Sequence, residues 1–139
     1  DEVEAIREMD PLRGVSRGSM KRVTLFPASH YVTPANKLRA AIEGIKQRGQ
    51  ADVGDKTLLD ALVPATDTLE ERVAAGDPMP SALARAAETA RASAEATTSM
   101  LAKRGRASYT GERSIGSPDA GAMGVAVMFE RLAAEWPEA

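Results

Sequence analysis

The sequence predicts a mainly α-helical protein of the α+β class, an antiparallel helical bundle or half-barrel that follows a short N-terminal β-hairpin or meander. Three observations favour this fold. Alanine is abundant and aromatic residues make up only 4% of the 139 residues, which suits closely packed helices. Apolar residues recur at helical spacing after residue 34. Before residue 27 they alternate with polar residues, as they do in a half-buried strand.

Composition and charge exclude several kinds of site. The chain has no cysteine and one histidine, which excludes disulfides, thiolate metal sites and multi-histidine metal sites. A net charge of −2 gives no general reason to expect direct binding to nucleic acid. No apolar run approaches the length of a membrane span and no signal peptide is visible, so we expect a cytoplasmic protein without a membrane partner.

The first 27 residues predict the small β-structure. Residues 2–7 alternate polar and apolar side chains. Residues 10–14 contain a proline and a glycine at positions that suit a turn. Residues 22–27 are a second strand that ends at Pro27. Two short strands bury little apolar area, so we expect a helix to cover one face of this hairpin or meander.

Four helices are predicted in the rest of the chain, and they begin at Pro34, near Asp55, near Leu83 and near Asp119. Thr33 is a good N-cap for the first helix, and Pro34 suits its first position. Asp55 is expected to cap the second helix, which ends near residue 75 and contains Pro64 as a kink or an interruption. The third helix is expected to continue to Lys103.

The connection between the last two helices, residues 105–121, is long for a link between helices. Gly105 is expected just beyond the end of the third helix, where glycine is favoured. Exposed amide groups at the glycine-rich start of the fourth helix suit an anion such as phosphate. Arg106 and Arg113 could add charge-assisted hydrogen bonds to it. The alternative is an ordered surface loop whose arginines are merely solvated, and the residues alone leave both interpretations open.

The same connection resembles a known family. Residues 105–116 and 119–122 resemble the signature of the nucleotide-binding domain of dihydroxyacetone kinases, the DhaL family, and residues 48–61 and 96–100 resemble further parts of it in the same order. The resemblance covers residues 48–133 and implies a barrel of antiparallel helices that binds ADP or ATP. The nucleotide contacts it implies are Gly49 and Leu58 beside the base, Arg106 at a phosphate, and Asp119, Ala120 and Gly121 at the base or ribose. Ala120 stands where the family usually has proline, which loosens that turn.

The resemblance also implies a difference in chemistry. The family holds two Mg²⁺ ions through an Asp-x-Asp motif, and no Asp-x-Asp occurs in this chain. Phosphoryl transfer relies on such ions to neutralise developing charge. We therefore expect weak binding of ADP or ATP, no bound Mg²⁺, no catalytic residue and no kinase activity of the chain alone. A dihydroxyacetone-binding kinase subunit is an expected partner.

The beginning of the chain resembles a different family. Residues 9–12 and 22–34 are similar to the end of the second domain of UvrB, the damage-binding helicase subunit of bacterial excision repair. That region of UvrB is implicated in contacting UvrA, which makes UvrA a further expected partner. The resemblance covers residues 1–46 and meets the kinase-like part inside the first helix, at residues 44–48. It predicts two parts, residues 1–46 and 47–139, either as separate domains or fused into one, in an engineered or recombined chimera.

Three hypotheses stay open at this point: a partial dihydroxyacetone-kinase nucleotide domain, a non-enzymatic module that docks on UvrA, and a recombined fold without a biological role. Assembly is a separate expectation. Half of a helical barrel leaves an apolar face, and such faces usually become interfaces. We therefore expect a twofold homodimer. The side chains expected on that face are Leu83, Ala87, Ala90 and Ala94 on one helix, and Phe129, Leu132 and Trp136 on another.

Overall fold

The computed structural model describes residues 34–137. By its internal contacts the chain divides into a unit of residues 1–37 and a unit of residues 38–139. The helices described below belong to the second unit, apart from the first helical turn, which begins at Pro34. The predicted hairpin or meander and the predicted N-cap Thr33 lie outside the described residues. The predicted division between residues 46 and 47 stays a prediction.

Four α-helices and two 3₁₀ segments make up the described part of the chain. In order they are α1 (Pro34–Gly49), α2 (Leu59–Ala74), α3 (Met79–Ala96), the 3₁₀ turn Thr97–Ser99, the 3₁₀ segment Arg106–Ser114 and α4 (Ala120–Glu135). Residues 34–137 contain no strand. None of these helices is both long and apolar enough to span a membrane. The predicted mainly helical bundle is confirmed.

The central helix of the bundle is α3, which packs against α2 and α4, while α2 and α4 contact each other less. Its buried residues are nearly all small: Ala82, Leu83, Ala86, Ala87, Ala90 and Ala94. Small side chains let neighbouring helix axes approach closely. The neighbours supply the larger core residues, including Leu59 and Leu69 from α2 and Phe129 from α4. The abundant alanine therefore serves close helix packing.

The sequence predicted an exposed apolar face for assembly, and this prediction is wrong for most of its residues, which are buried. Leu83 is 1% exposed and Ala90 is fully buried, because α3 is covered on both sides by α2 and α4. Phe129 is also buried, at 2%. The large apolar side chains that α4 does expose are Val127, Met128 and Leu132.

One side of α1 is fixed to α2. Ile42 of α1 is 1% exposed. On the same side Arg39 donates hydrogen bonds to both carboxylate oxygens of Glu70, at 3.1 and 2.8 Å, and to Asp67 at 2.6 Å. The predicted helix start at Pro34 is confirmed.

The start of α2 differs from the prediction. The helix begins at Leu59, not at Asp55, and its N-terminal turn is organised by the carboxylate of Asp60. This carboxylate accepts a hydrogen bond from the backbone N–H of Thr57 at 2.8 Å, a contact that fixes the chain just before the helix. The helix then continues through Pro64, so of the predicted kink or interruption the interruption is wrong. Proline has no N–H, so one backbone hydrogen bond is missing inside this helix.

The end of α3 also differs, since the helix stops at Ala96 and not at Lys103. Three hydroxyl side chains in a row follow it, and each donates to the carbonyl three residues earlier: Thr97 to Ala94, Thr98 to Glu95 and Ser99 to Ala96. Such local bonds compete with helical hydrogen bonding and favour a helix end. Gly105 is therefore not the glycine that follows the helix. It has a positive φ of 75° and precedes the 3₁₀ segment.

Candidate functional site

Three connecting segments meet at one end of the bundle, where α2 and α4 begin and α3 ends. We call this region the junction, and it comprises residues 52–58, 97–103 and 114–121. Backbone hydrogen bonds join its parts. The N–H of Lys103 donates to the carbonyl of Asp55 at 3.0 Å, and the N–H of Gly116 donates to the carbonyl of Thr98 at 2.8 Å. The junction is thus one connected structure built from distant parts of the chain.

Thr97 fixes the start of α4. Its side chain is fully buried, and its hydroxyl donates to the carbonyl of Ala94 at 2.6 Å while it accepts from the N–H of Asp119 at 2.8 Å. Asp119 is the N-cap of α4, and its Oδ2 accepts from the N–H of Ala122 at 2.9 Å. The predicted helix start at Asp119 is confirmed. The other carboxylate oxygen of Asp119, Oδ1, makes no hydrogen bond within residues 34–137.

Gly121 brings the start of α4 directly against the start of α2. A Cβ atom added at Gly121 would lie 3.1 Å from Oδ2 of Asp119 and 3.2 Å from the Cβ of Leu58. Both distances are tighter than ordinary van der Waals contact, so the position favours glycine. The close approach places Leu58 beside the exposed first turn of α4.

Asp60 and Lys56 shape the segment before α2. The buried carboxylate of Asp60 accepts from the N–H groups of Gly54, at 2.7 Å, and Thr57, at 2.8 Å. Lys56 lies between them with a φ of +61°, a conformation that residues other than glycine adopt only when their surroundings require it. This turn directs the lysine side chain into the junction.

The side chain of Lys56 is 3% exposed. Its ammonium donates to the backbone carbonyls of Ser114 and Ser117, the second at 2.7 Å. Within residues 34–137 it makes no ion pair with a carboxylate. Ser114 is itself held by the N–H of Ala102, which donates to its hydroxyl at 3.0 Å. A buried cation is costly unless it is well hydrogen-bonded, and here two carbonyl dipoles stabilise it.

The segment between the two anchored ends carries exposed cations. We call residues 103–113 the basic loop, and its cations are Lys103, Arg104, Arg106 and Arg113. None of the four forms an ion pair within the part of the chain that the structure describes. Tyr109 is 88% exposed, and the 3₁₀ segment is broken at Gly111. The loop, which also contains Glu112, therefore carries a net positive charge beside the junction, which suits an anionic ligand.

The structure brings four of the six predicted site residues together in the junction: Leu58, Asp119, Ala120 and Gly121. Arg106 is exposed on the adjoining basic loop. Gly49 is the exposed last residue of α1, and a Cβ added there would meet only Ala51, at 3.7 Å. Hydrophobic periodicity carries no signal for a buried polar contact between distant segments. The structural roles of Lys56, Asp60 and Ser114 were therefore not predicted from the sequence.

Two other features of the described chain lie outside the junction. An open apolar groove runs along the C-terminal half of α4, lined by Val127, Met128, Arg131, Leu132, Glu135, Trp136 and Pro137. This groove lies at the opposite end of α4 from Asp119, so it is not part of the predicted nucleotide site. Within residues 34–137, no three acidic, histidine or cysteine side chains form a group that could hold a metal ion.

The sequence matches a known protein family over most of its length. The model of the DAK2 domain matches residues 29–134. The chain belongs to the DAK2 domain family. The match includes α1 and the whole junction. It begins upstream of residue 48, where the resemblance to dihydroxyacetone kinases began, and so covers residues 29–46, which the sequence alone had linked to UvrB.

Individual relatives agree with this assignment. The chain is 42% identical over 95 residues to the PEP-dependent dihydroxyacetone kinase, ADP-binding subunit DhaL, of Escherichia coli, a match that covers 68% of this chain and 45% of that protein. It is 41% identical over 100 residues to the L-erythrulose kinase of Pectobacterium atrosepticum, with coverage of 72% and 17%. A DhaL subunit of Listeria innocua is 35% identical over 95 residues, with coverage of 68% and 42%. The chain thus spans less than half the length of these relatives.

Proposed function

We propose that this chain is a partial nucleotide-binding domain of the dihydroxyacetone-kinase type, which binds ADP or ATP weakly at the junction. The observation that carries the proposal is the close approach of Gly121 to Leu58, next to the N-cap Asp119 and beside a loop whose cations form no ion pair within residues 34–137. A nucleotide needs both an apolar surface for its base and positive charge for its phosphates. The relatives named as ADP-binding subunits support the same ligand.

Each predicted residue has a role in this proposal. Leu58 packs against the base, and Arg106 binds a phosphate through its guanidinium. The turn at Asp119, Ala120 and Gly121 meets the base or ribose, for which the unused carboxylate oxygen of Asp119 is a suitable acceptor. The role of Gly49 beside the base rests on the family resemblance alone, because it lies apart at the end of α1.

Calorimetric titration with ADP tests the proposal directly. We expect saturable binding of one nucleotide per chain, weakened by added salt because phosphate contacts are electrostatic. AMP and adenosine should bind progressively more weakly. If ADP and adenosine bind equally, the basic loop does not contact phosphate and the proposed site is wrong.

The proposal does not extend to catalysis by this chain alone. No Asp-x-Asp motif for Mg²⁺ occurs in the sequence, and phosphoryl transfer depends on metal ions held at the phosphates. We predict that the purified chain does not phosphorylate dihydroxyacetone from ATP and Mg²⁺. A coupled assay for ADP release measures this, with a complete DhaL-type kinase as the positive control. Reproducible substrate-dependent turnover in independent preparations would contradict the prediction.

A protein-docking role is the second candidate. It rests on the resemblance of residues 1–46 to UvrB and on the view of the chain as a recombined or engineered chimera. Binding of the full chain to immobilised UvrA tests it, with a variant that lacks residues 1–27 as the control. The kinase-type proposal instead predicts binding to a dihydroxyacetone-binding kinase subunit, so the two partners separate the two functions.

A further inference from the structure

We infer that Lys56 is a positioning residue that holds the basic loop against the junction, and so sets where Arg106 lies relative to Leu58. This inference rests on the proposed nucleotide site and deepens it. Leu58, at the base end of that site, is two residues from Lys56 in the chain. The phosphate end is Arg106, on the loop that Lys56 anchors.

The segment that contains Lys56 fixes the basic loop on both sides. On one side, the carbonyl of Asp55 accepts from the N–H of Lys103, at 3.0 Å. On the other, the ammonium of Lys56 donates to the carbonyls of Ser114 and Ser117. Two adjacent residues therefore anchor the chain just before and just after the exposed cations.

The turn around Lys56 is itself rigidly held. Asp60 accepts from the N–H groups of Gly54 and Thr57, one on each side of the lysine. The positive φ of Lys56 is stabilised by these contacts and by the burial of its side chain. A displacement of the loop would therefore require the loss of hydrogen bonds to a buried cation, which are stronger than ordinary ones.

The contacts of Lys56 hold the basic loop in position and contribute little to the packing of the helical core. Within residues 34–137 its ammonium bonds only to the backbone carbonyls of Ser114 and Ser117, which follow the basic loop, whereas the bundle core is formed by alanine, leucine and phenylalanine side chains of α2, α3 and α4. Loss of the ammonium should thus release the loop and leave the helices packed. Local opening of this kind is common where few apolar contacts hold a segment.

Limited trypsin digestion of the folded chain tests the inference without any ligand. The basic loop contains four trypsin sites, after Lys103, Arg104, Arg106 and Arg113. In Lys56→Met we expect cleavage at these sites to be faster by about tenfold or more, because two charged hydrogen bonds no longer oppose opening. Lys46→Met is the matched control, since Lys46 is a partly exposed lysine that pairs with Asp52 near the same region. It should leave loop cleavage unchanged.

Nucleotide titration provides the second readout. Lys56→Met should lower the affinity for ADP by about tenfold and leave that for adenosine nearly unchanged, because only the phosphate end of the site is displaced. Lys56→Arg, which keeps a cationic donor, should recover part of the ADP affinity. An equal loss for both ligands would show a merely structural role and overturn the inference.

The outcomes distinguish this inference from the proposed function. If wild type binds no ADP, the proposed function fails, and the digestion experiment still decides whether Lys56 holds the loop. Unchanged loop cleavage in Lys56→Met overturns the inference even when ADP binds. If Lys56→Met does not fold, as judged by circular dichroism, Lys56→Gln replaces it, because its amide can still donate to carbonyls without charge.

Discussion

At the scale of single residues, Gly121 in the first turn of α4 packs closely against Leu58, the residue just before α2. Alanine normally stabilises a helix interior relative to glycine, by roughly 0.5–1 kcal/mol. At Gly121 the added Cβ would lie within 3.2 Å of atoms of Asp119 and Leu58. Relief of this contact must displace the N-cap of α4 or the first residue before α2. We therefore expect the usual effect of a glycine-to-alanine substitution on stability to change sign at this position.

We predict that Gly121→Ala lowers the free energy of unfolding by roughly 1 kcal/mol, within the range for overpacking a tight site. Gly124→Ala is the matched control, because Gly124 lies one turn later in α4 and a Cβ there meets nothing within 4 Å. It should raise stability by about 0.5–1 kcal/mol. Urea denaturation followed by circular dichroism measures both. Equal stabilisation by the two substitutions would contradict the close contact with Leu58.

Arg106 gives the residue-scale test of the nucleotide site. Arg106→Ala should weaken ADP binding by roughly 1–3 kcal/mol, the range for the loss of a charged hydrogen bond. Arg131→Ala is the control, since Arg131 lies on the far half of α4, where it pairs with Glu135. Calorimetry should show little change for the control. Equal effects of both substitutions would mean that the titration measures only diffuse charge attraction.

The role of a residue could be predicted from the sequence where its partner is near in the chain. It could not be predicted where the partner is distant in the chain and becomes close only on folding. The helix start near Asp119 was found because the partner of its side chain is only three residues away. The anchoring role of Lys56 was not found, since its acceptors at Ser114 and Ser117 are close only after folding. Four of the predicted site residues meet in the junction, but no pattern in the sequence indicates which contacts hold them there.

At the scale of elements, α3 and α4 are joined on their exposed side by one ion pair. Arg91 donates to Glu130 through both Nε, at 2.7 Å, and Nη2, at 2.8 Å. Such a bidentate contact has defined geometry, which distinguishes it from most surface ion pairs. The hydrogen bonds from Arg91 lower the pKa of Glu130 below its ordinary value of 4.5.

This shift predicts a pH dependence with a definite sign. A carboxyl group with a lower pKa in the folded state stabilises the fold above its unfolded pKa, and this stabilisation is lost as the pH falls through the folded pKa. The stability advantage of wild type over Glu130→Gln should therefore shrink on acidification below about pH 4.5, where the unfolded carboxyl begins to protonate. Thermal melts between about pH 6 and about pH 3 measure it.

Arg91→Gln is the control for this prediction, because it removes the same ion pair from the other helix. Its stability relative to wild type should change with pH in the same direction as that of Glu130→Gln. A difference between wild type and Glu130→Gln that stays constant across the acidic range would contradict the shifted pKa and the role of the contact between α3 and α4.

The boundaries of the elements were predicted unevenly, for a physical reason. The helix starts predicted at Pro34 and near Asp119 were found, whereas the start predicted at Asp55 was wrong, since that helix begins at Leu59. The end of α3 was placed too late, because apolar and alanine-rich spacing continues past Ala96 while three hydroxyl residues redirect the backbone. Periodicity reports which face a helix would bury, and does not by itself report where the helix stops.

At the scale of the whole molecule, the burial of α3 excludes this helix from the expected dimer interface. An exposed apolar surface, the reason to expect an interface, is still present on α4. The core of the bundle is closed by α2, α3 and α4, so the small residues of α3 are unavailable for assembly. The C-terminal half of α4 still exposes Val127 by 50%, Met128 by 60% and Leu132 by 40%. Neighbouring apolar side chains on one helix face are a frequent feature of interfaces.

Two charges of opposite sign lie beside this face. Arg131 and Glu135 lie one helical turn apart, next to Leu132, and pair with each other. In a twofold antiparallel contact between two α4 helices, each Arg131 could instead pair with Glu135 of the partner subunit. A twofold interface requires such self-complementarity. The sequence predicted a dimer, and the exposed face of α4 is where we now expect its interface.

We predict a homodimer at micromolar concentration that dissociates when a charge is placed in this face. Leu132→Glu should give a monomer, because a carboxylate at the centre of an apolar contact loses its hydration without a compensating partner. Ala84→Glu is the control, since it adds the same charge at an exposed position of α3 outside the face. Light scattering after size exclusion measures the mass of each variant. A wild-type monomer that binds no hydrophobic dye would show that the exposed part of α4 is stable in water by itself.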